Sequence, residues 1–113
     1  MRADRGFLCL NEVDIRIPLA PGMAALVRNR METTTLRDVV LTGARIGGDE
    51  AGRRGMVDDA APAAEVLPRA VARAAALADK DRATYGALKR ELYGEVLSIL
   101  AAGELGAFAQ PAA

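Results

Sequence analysis

The chain has 113 residues, no histidine and a single cysteine, Cys9. Without histidine it cannot build a Ser-His-Asp or Cys-His arrangement, nor the usual zinc ligand sets. Any chemistry must therefore come from carboxylates, backbone amides, Lys, Arg or Tyr. Among the carboxylates, Glu12 lies just past the apolar run Phe7-Leu8-Cys9-Leu10 and Asn11 and is followed by Val13. A carboxylate between apolar neighbours suits general acid–base work, which needs one group that takes a proton and returns it. On periodicity alone, however, Glu12 reads as an ordinary loop carboxylate, and spacing does not decide between the two. Asn11 has two readings as well: it orients Glu12 or donates to a substrate, or it is a turn residue bonded to its own backbone. Lys89 is a basic residue on a late helix, where a solvated face is the plain alternative. Asp14 is expected to face solvent, Cys9 to sit in the core, and Arg53 and Arg54 to form a solvated helix end.

Charge and length narrow the classes further. Fifteen basic residues balance fifteen acidic ones, and no basic cluster of the kind a nucleic-acid binder carries is present. One cysteine excludes an intramolecular disulfide and fits a reducing compartment. The apolar runs are too short to span a bilayer. Met1-Arg2-Ala3-Asp4-Arg5-Gly6 leads into no long apolar stretch, so it does not read as a secretory signal. The final residues Gln110-Pro111-Ala112-Ala113 are not a peroxisomal address of the Ser-Lys-Leu kind. The chain reads as soluble and intracellular, with one small domain at most.

The elements that would position Glu12 follow from pattern. Phe7–Leu10 suggests a buried strand. Val13, Ile15 and Ile17 alternate with Asp14 and Arg16, which predicts a second extended segment with one buried face, ended by Pro18. Pro21 suits the first turn of a helix carrying Met23, Leu26, Val27 and Met31. Thr33, Thr34 or Thr35 can cap the next helix, whose stripe is Leu36, Val39 and Val40 and whose stop is Gly43. Ile46-Gly47-Gly48 reads as a turn, Asp49 as the cap of a short helix ended by Gly55, and Met56-Val57 as a brief extended piece. Two long amphipathic helices follow. The first places Val66, Leu67, Ala70, Val71, Ala74 and Leu77 on one face and runs to Asp79. The second places Tyr85, Leu88, Leu92, Val96 and Ile99 at helical spacing. Two strand segments without further strands to pair with suggest a sheet whose remainder lies elsewhere.

Three stretches carry a resemblance. Phe7-Leu8-Cys9-Leu10-Asn11-Glu12-Val13-Asp14-Ile15 resembles the strand and acidic loop in the second half of the crotonase (enoyl-CoA hydratase/isomerase) superfamily. Leu41-Thr42-Gly43-Ala44-Arg45-Ile46 and Glu50-Ala51-Gly52-Arg53-Arg54-Gly55-Met56-Val57-Asp58 resemble the superfamily's Leu-Thr-Gly and Glu-Ala…Gly-Met-Val-Asp stretch in order and spacing. The Asn-Glu pair is most like the Δ3,Δ2-enoyl-CoA isomerases, and the last helix, with Tyr85, Lys89, Leu92 and Tyr93, like their plant peroxisomal members.

The resemblance implies an α/β fold, the carboxy-terminal half of a crotonase (ClpP/crotonase-like) fold: one or two short strands, then mostly helices. Residues 1–61 would be the second half of the core, residues 62–103 the two carboxy-terminal helices, and residues 104–113 a frayed tail. It implies isomerisation of a 3-enoyl-CoA to the 2-enoyl form, as in unsaturated fatty-acid β-oxidation, with Glu12 as the catalytic carboxylate. Asn11 and Lys89 would contact substrate. Acyl-CoA is the substrate, and neither cofactor nor metal is implied. A homotrimer and a peroxisomal location are implied by resemblance only. The family's oxyanion amides and glycine-rich loop match nothing in this chain, so little activity is expected of it by itself. A hydratase fragment, or a non-catalytic module packing on full-length relatives, is the competing reading. Gly47, Gly48 and Gly52 stand where the family more often carries larger residues, which suggests loose packing there.

Overall fold

The computed structural model describes residues 1–103, so the tail expected over 104–113 lies outside the described residues. In chain order the elements are β1 (Phe7–Leu8), α1 (Glu12–Ile15), α2 (Pro21–Arg30), α3 (Thr33–Thr42), β2 (Ile46–Gly47), α4 (Gly48–Arg53), α5 (Ala63–Ala75) and α6 (Arg82–Ala102). No helix among the described residues is long and apolar enough to cross a membrane.

The core lies where α3, β2 and α4 meet. Val39 is fully buried and packs with Ile46, Ala51 and Met56, while Met1, Leu8, Leu10, Met31, Ala44 and Val57 close around them. β1 and β2 pair antiparallel, Phe7 opposite Gly47 and Leu8 opposite Ile46. The two strands expected to lack partners therefore reduce to one, and its partner is a segment read as a turn. The amino terminus is tied to the stretch after α4 by a parallel bridge between Arg2 and Ala61, with Ala3 N–H donating to the Ala61 carbonyl at 2.9 Å. Gly48 lies beneath this bridge. A Cβ on it would collide with the Arg2 carbonyl and approach Ala3 Cα to 3.0 Å. The packing at Gly48 is tight, contrary to the loose packing expected. Gly52 has ordinary room, its added Cβ meeting Ala60 Cβ at 3.8 Å.

The segment from Val13 is helical where an extended strand was expected. The Asn11 carbonyl accepts from the N–H groups of Asp14 (2.9 Å) and Ile15 (3.1 Å), which closes one turn. Arg16 then leaves it in the left-handed region at φ 62°. Val13, Ile15 and Ile17 are all exposed, so their alternation marks no buried face, and three alternating residues do not separate a strand from a single helical turn. Two caps also differ. Glu32 precedes α3 in extended conformation with no side-chain bond, leaving Thr33–Thr35 within the first turn and Thr35 buried. Gly47, not Asp49, precedes α4. Asp49 and Glu50 occupy its first turn, where the helix dipole favours acidic groups.

α2 and α6 pack along each other antiparallel: Gly22 lies against Leu100, and Asn29 Nδ2 reaches the Leu92 carbonyl at 3.4 Å. An added Cβ at Gly22 would stand 2.8 Å from Leu100 Cδ2, so glycine sets how closely the helices approach. Val96 is buried in this contact. α6 begins with Asp81, whose carboxylate accepts from Thr84 N–H at 2.8 Å, and ends at Gly103 in the left-handed region. α5 contains Pro68, which has no N–H to give the Ala64 carbonyl. It stops at Ala75 rather than Asp79. The residues after it are held by i to i+3 bonds such as Leu77 N–H to the Ala74 carbonyl at 3.0 Å, the tightening usual at helix ends.

Candidate functional site

Glu12 is the first residue of α1, where the apolar run ends and the chain turns. Its Oε2 is sealed from solvent and has no hydrogen-bond partner among the described residues. A buried polar atom left unpaired costs about 1–3 kcal/mol, more when charged, so such atoms are few. No other described side-chain nitrogen or oxygen is in this condition.

Gly43 is the local support of that turn. It caps α3 in the left-handed region at φ 66°, its N–H donating to the Val39 carbonyl at 3.2 Å. A side chain there would run against the Asp14 carboxylate and approach Val13 Cγ1 to 3.4 Å. Its carbonyl accepts from Cys9 Sγ at 3.3 Å. Gly43 thus touches residues on both sides of Glu12, and glycine is required twice: for its backbone conformation and for the missing Cβ. The Leu41-Thr42-Gly43 motif pointed to this place, although only its role as a helix stop was legible in the sequence. Thr42 adds to the same corner, since its hydroxyl donates to the Asp38 carbonyl and accepts from Ala44 N–H at 3.2 Å.

The other sequence-derived residues are placed less tightly. Asn11 is exposed and precedes α1 without a side-chain cap. Its carbonyl, not its amide side chain, makes the turn bonds, so the side-chain turn reading does not hold. Lys89 is an exposed residue of α6 with its Nζ 5.9 Å from the centre of the Tyr85 ring. α1 packs on α3 and α6 on α2, so Lys89 and Glu12 belong to different layers. Cys9 is half-buried rather than fully in the core. Phe7 is exposed, with the Arg45 guanidinium 4.9 Å from its ring centre.

A charged network on α4 was missed. Arg54 donates to Glu50 at 2.6 Å and reaches Asp38 of α3 at 3.4 Å, while Arg53 donates to the other Glu50 oxygen. These pairs, Arg54 first, hold the Glu50 carboxyl below its ordinary range. The i to i+4 spacing of Glu50 and Arg54 was its sequence signal. Arg30 ties the end of α2 to the stretch after α4, donating to the Met56 carbonyl at 2.9 Å and to Asp58 at 2.8 Å. That hydrogen bond holds the Asp58 carboxyl below its usual range.

Residues 3–103 match the family model described as enoyl-CoA hydratase/isomerase. The chain is 37% identical over 116 residues to enoyl-CoA delta isomerase 2, peroxisomal, of Arabidopsis thaliana, a match covering 98% of this chain and 48% of that protein. It is 34% identical over 101 residues to enoyl-CoA delta isomerase 1, peroxisomal, of the same plant, covering 86% of this chain and 42% of the relative. Its fold is similar to that of an enoyl-CoA hydratase from Mycobacterium marinum, with a TM-score of 0.77 at 20% identity over 90% of this chain and 45% of that one. The described residues form part of a crotonase fold. The chain belongs to the enoyl-CoA hydratase/isomerase family, and it spans about half the length of these relatives.

Proposed function

We propose that this chain supplies the acid–base carboxylate of an enoyl-CoA isomerase-type reaction, moving the double bond of a 3-enoyl-CoA to the 2-position. The observation that carries the reading is the solvent-sealed, unpartnered Oε2 of Glu12, at the position where the chain resembles the family's acidic loop. The names of the two plant relatives favour isomerase over hydratase. In the proposed step the Glu12 carboxylate takes a proton from C2. The C–H electron pair passes into a dienolate whose charge rests on the thioester oxygen, and Glu12 then returns the proton at C4. One carboxylate closes the cycle, so no cofactor enters.

Stabilising the thioester oxygen needs amide donors. Loss of one such donor typically costs 10²–10³ in rate, roughly 3–4 kcal/mol. The chain matches less than half of the length of the isomerases it is similar to, and we propose that its 113 residues by themselves turn over substrate slowly or not at all. Asn11 and Lys89 are proposed substrate contacts, Lys89 toward the CoA phosphates. A peroxisomal setting and trimeric assembly belong to the same proposal. The test follows deuterium uptake at C2 of a 3-enoyl-CoA in D2O together with formation of the 2-enoyl product. Slow uptake that disappears in Glu12→Gln is expected. Measurable uptake that is equal in both proteins would remove Glu12 from the role, and rapid net isomerisation would overturn the claim of slow turnover.

A second reading, a module that packs on full-length relatives, is favoured by the uncovered apolar side of α5, where Leu67 is 71% and Val71 58% exposed. Co-purification with a full-length relative supports it, and a monodisperse monomer counts against it.

A further inference from the structure

Four glycines among the described residues hold the left-handed backbone: Gly6, Gly43, Gly55 and Gly103, at φ between 65° and 83°. Gly6, Gly55 and Gly103 have nothing within 4 Å of the position of a Cβ, so backbone conformation alone accounts for glycine there. Gly43 differs. A Cβ on it would stand 2.5 Å from Asp14 Oδ2 and 3.4 Å from Val13 Cγ1. Glycine at this position therefore also makes room for the two residues that follow Glu12. On the other side of Glu12, the Cys9 thiol donates to the Gly43 carbonyl at 3.3 Å.

α1 has little of its own to fix it. It is one turn, Asn11 before it gives no side-chain cap, and it buries no residue. A single turn is not stable by itself, so its place is set by what it packs against, which is α3. Gly43 is the fixed point at the end of that helix: its N–H donates to the carbonyl of Val39, the fully buried centre of the core. We propose that Gly43 is a positioning residue for Glu12, holding the α1 turn through Val13 and Asp14 on one side and through Cys9 on the other, so that the core fixes where the sealed Oε2 stands. The inference rests on the reading of Glu12 as the acid–base carboxylate. A misplacement of about 1 Å can cost about a hundredfold in rate, and a turn that buries no residue does not hold that tolerance without an outside anchor.

Urea melts of a double-variant cycle on the full chain test it without turnover. Gly43→Ala pushes on Asp14 and Val13, shifts the turn and lets the Glu12 carboxylate reach water. Relief of the sealed oxygen then offsets part of the loss. Gly43→Ala should therefore lower the urea midpoint by at least about 0.3 M more in the Glu12→Leu background than in the parent. Gly55→Ala carries the same backbone strain with nothing near the new Cβ, and should cost the same in both backgrounds. If Gly43→Ala does not fold, Cys9 gives the milder probe. Cys9→Ala removes the donor to the Gly43 carbonyl and should couple to Glu12→Leu in the same sense, whereas Cys9→Ser keeps a donor and should not. Equal losses from Gly43→Ala in both backgrounds, or coupling of the same size at Gly55, would overturn the inference and leave Gly43 as a helix stop. Deuterium uptake separates the two claims. Coupling at Gly43 together with uptake that Glu12→Gln leaves unchanged would overturn the acid–base reading and support the positioning. Uptake lost in Glu12→Gln with additive losses at Gly43 would overturn the positioning alone.

Discussion

α4 and α5 are both short amphipathic helices, yet they are held in opposite ways. α4 buries Gly48 and Ala51 against the amino terminus and the core, and its charges reach across to α3. α5 buries no residue at all. Its polar side is fastened by Arg69, which pairs with Glu65 one turn earlier and with Asp59 in the preceding stretch, while Leu67 and Val71 face solvent. Exposed ion pairs of this kind are screened by water and add little, and a thirteen-residue helix is marginal in water without tertiary packing. α4 is therefore held by close packing, and α5 by local charge.

The largest expected effect comes from the core side. Val39→Ala, at a fully buried side chain, should lower unfolding free energy by about 2 kcal/mol or more, whereas Leu67→Ala should stay within about 0.5 kcal/mol. Urea melts of both variants check this, and equal losses would erase the contrast. Gly48→Ala comes next. The added methyl meets backbone rather than a flexible side chain, so a loss of about 1–3 kcal/mol is expected. Gly94→Ala, in a helix with nothing within 4 Å of the new Cβ, should instead stabilise by up to about 1 kcal/mol. A smaller effect concerns pH. The carboxyls of Glu50, Asp58 and Asp81 titrate below their ordinary range because hydrogen bonds favour the charged form. Their folded values lie below the unfolded ones, so their stabilisation is complete above about pH 5 and is lost as pH falls through the folded values. Asp58 and Asp81 are exposed and Glu50 is half-buried, so the decline should be shallow and weaker in high salt.

The helices with sustained spacing were legible. Pro21 starts α2, Gly43 ends α3, and the Tyr85–Ile99 pattern lies inside α6. α1 was not legible, because its one turn is closed by the Asn11 carbonyl and buries none of the alternating residues. The β1–β2 pairing joins Leu8 to Ile46, a contact no local pattern encodes. Gly48 was misread because a glycine required by a close backbone approach looks, in sequence, like one that merely loosens packing. Glu12 stood out through family motifs rather than periodicity, and the turn that carries it packs on Gly43, which is distant in sequence.

The most direct test of the account is the stability of Glu12→Leu measured beside Val39→Ala. A buried carboxylate oxygen with no partner is a cost to the fold, so its apolar replacement should leave the protein as stable as the parent or about 1 kcal/mol more stable. A loss as large as that of Val39→Ala would mean that Glu12 holds the structure together, and the chain would have no carboxylate set aside for chemistry at this turn.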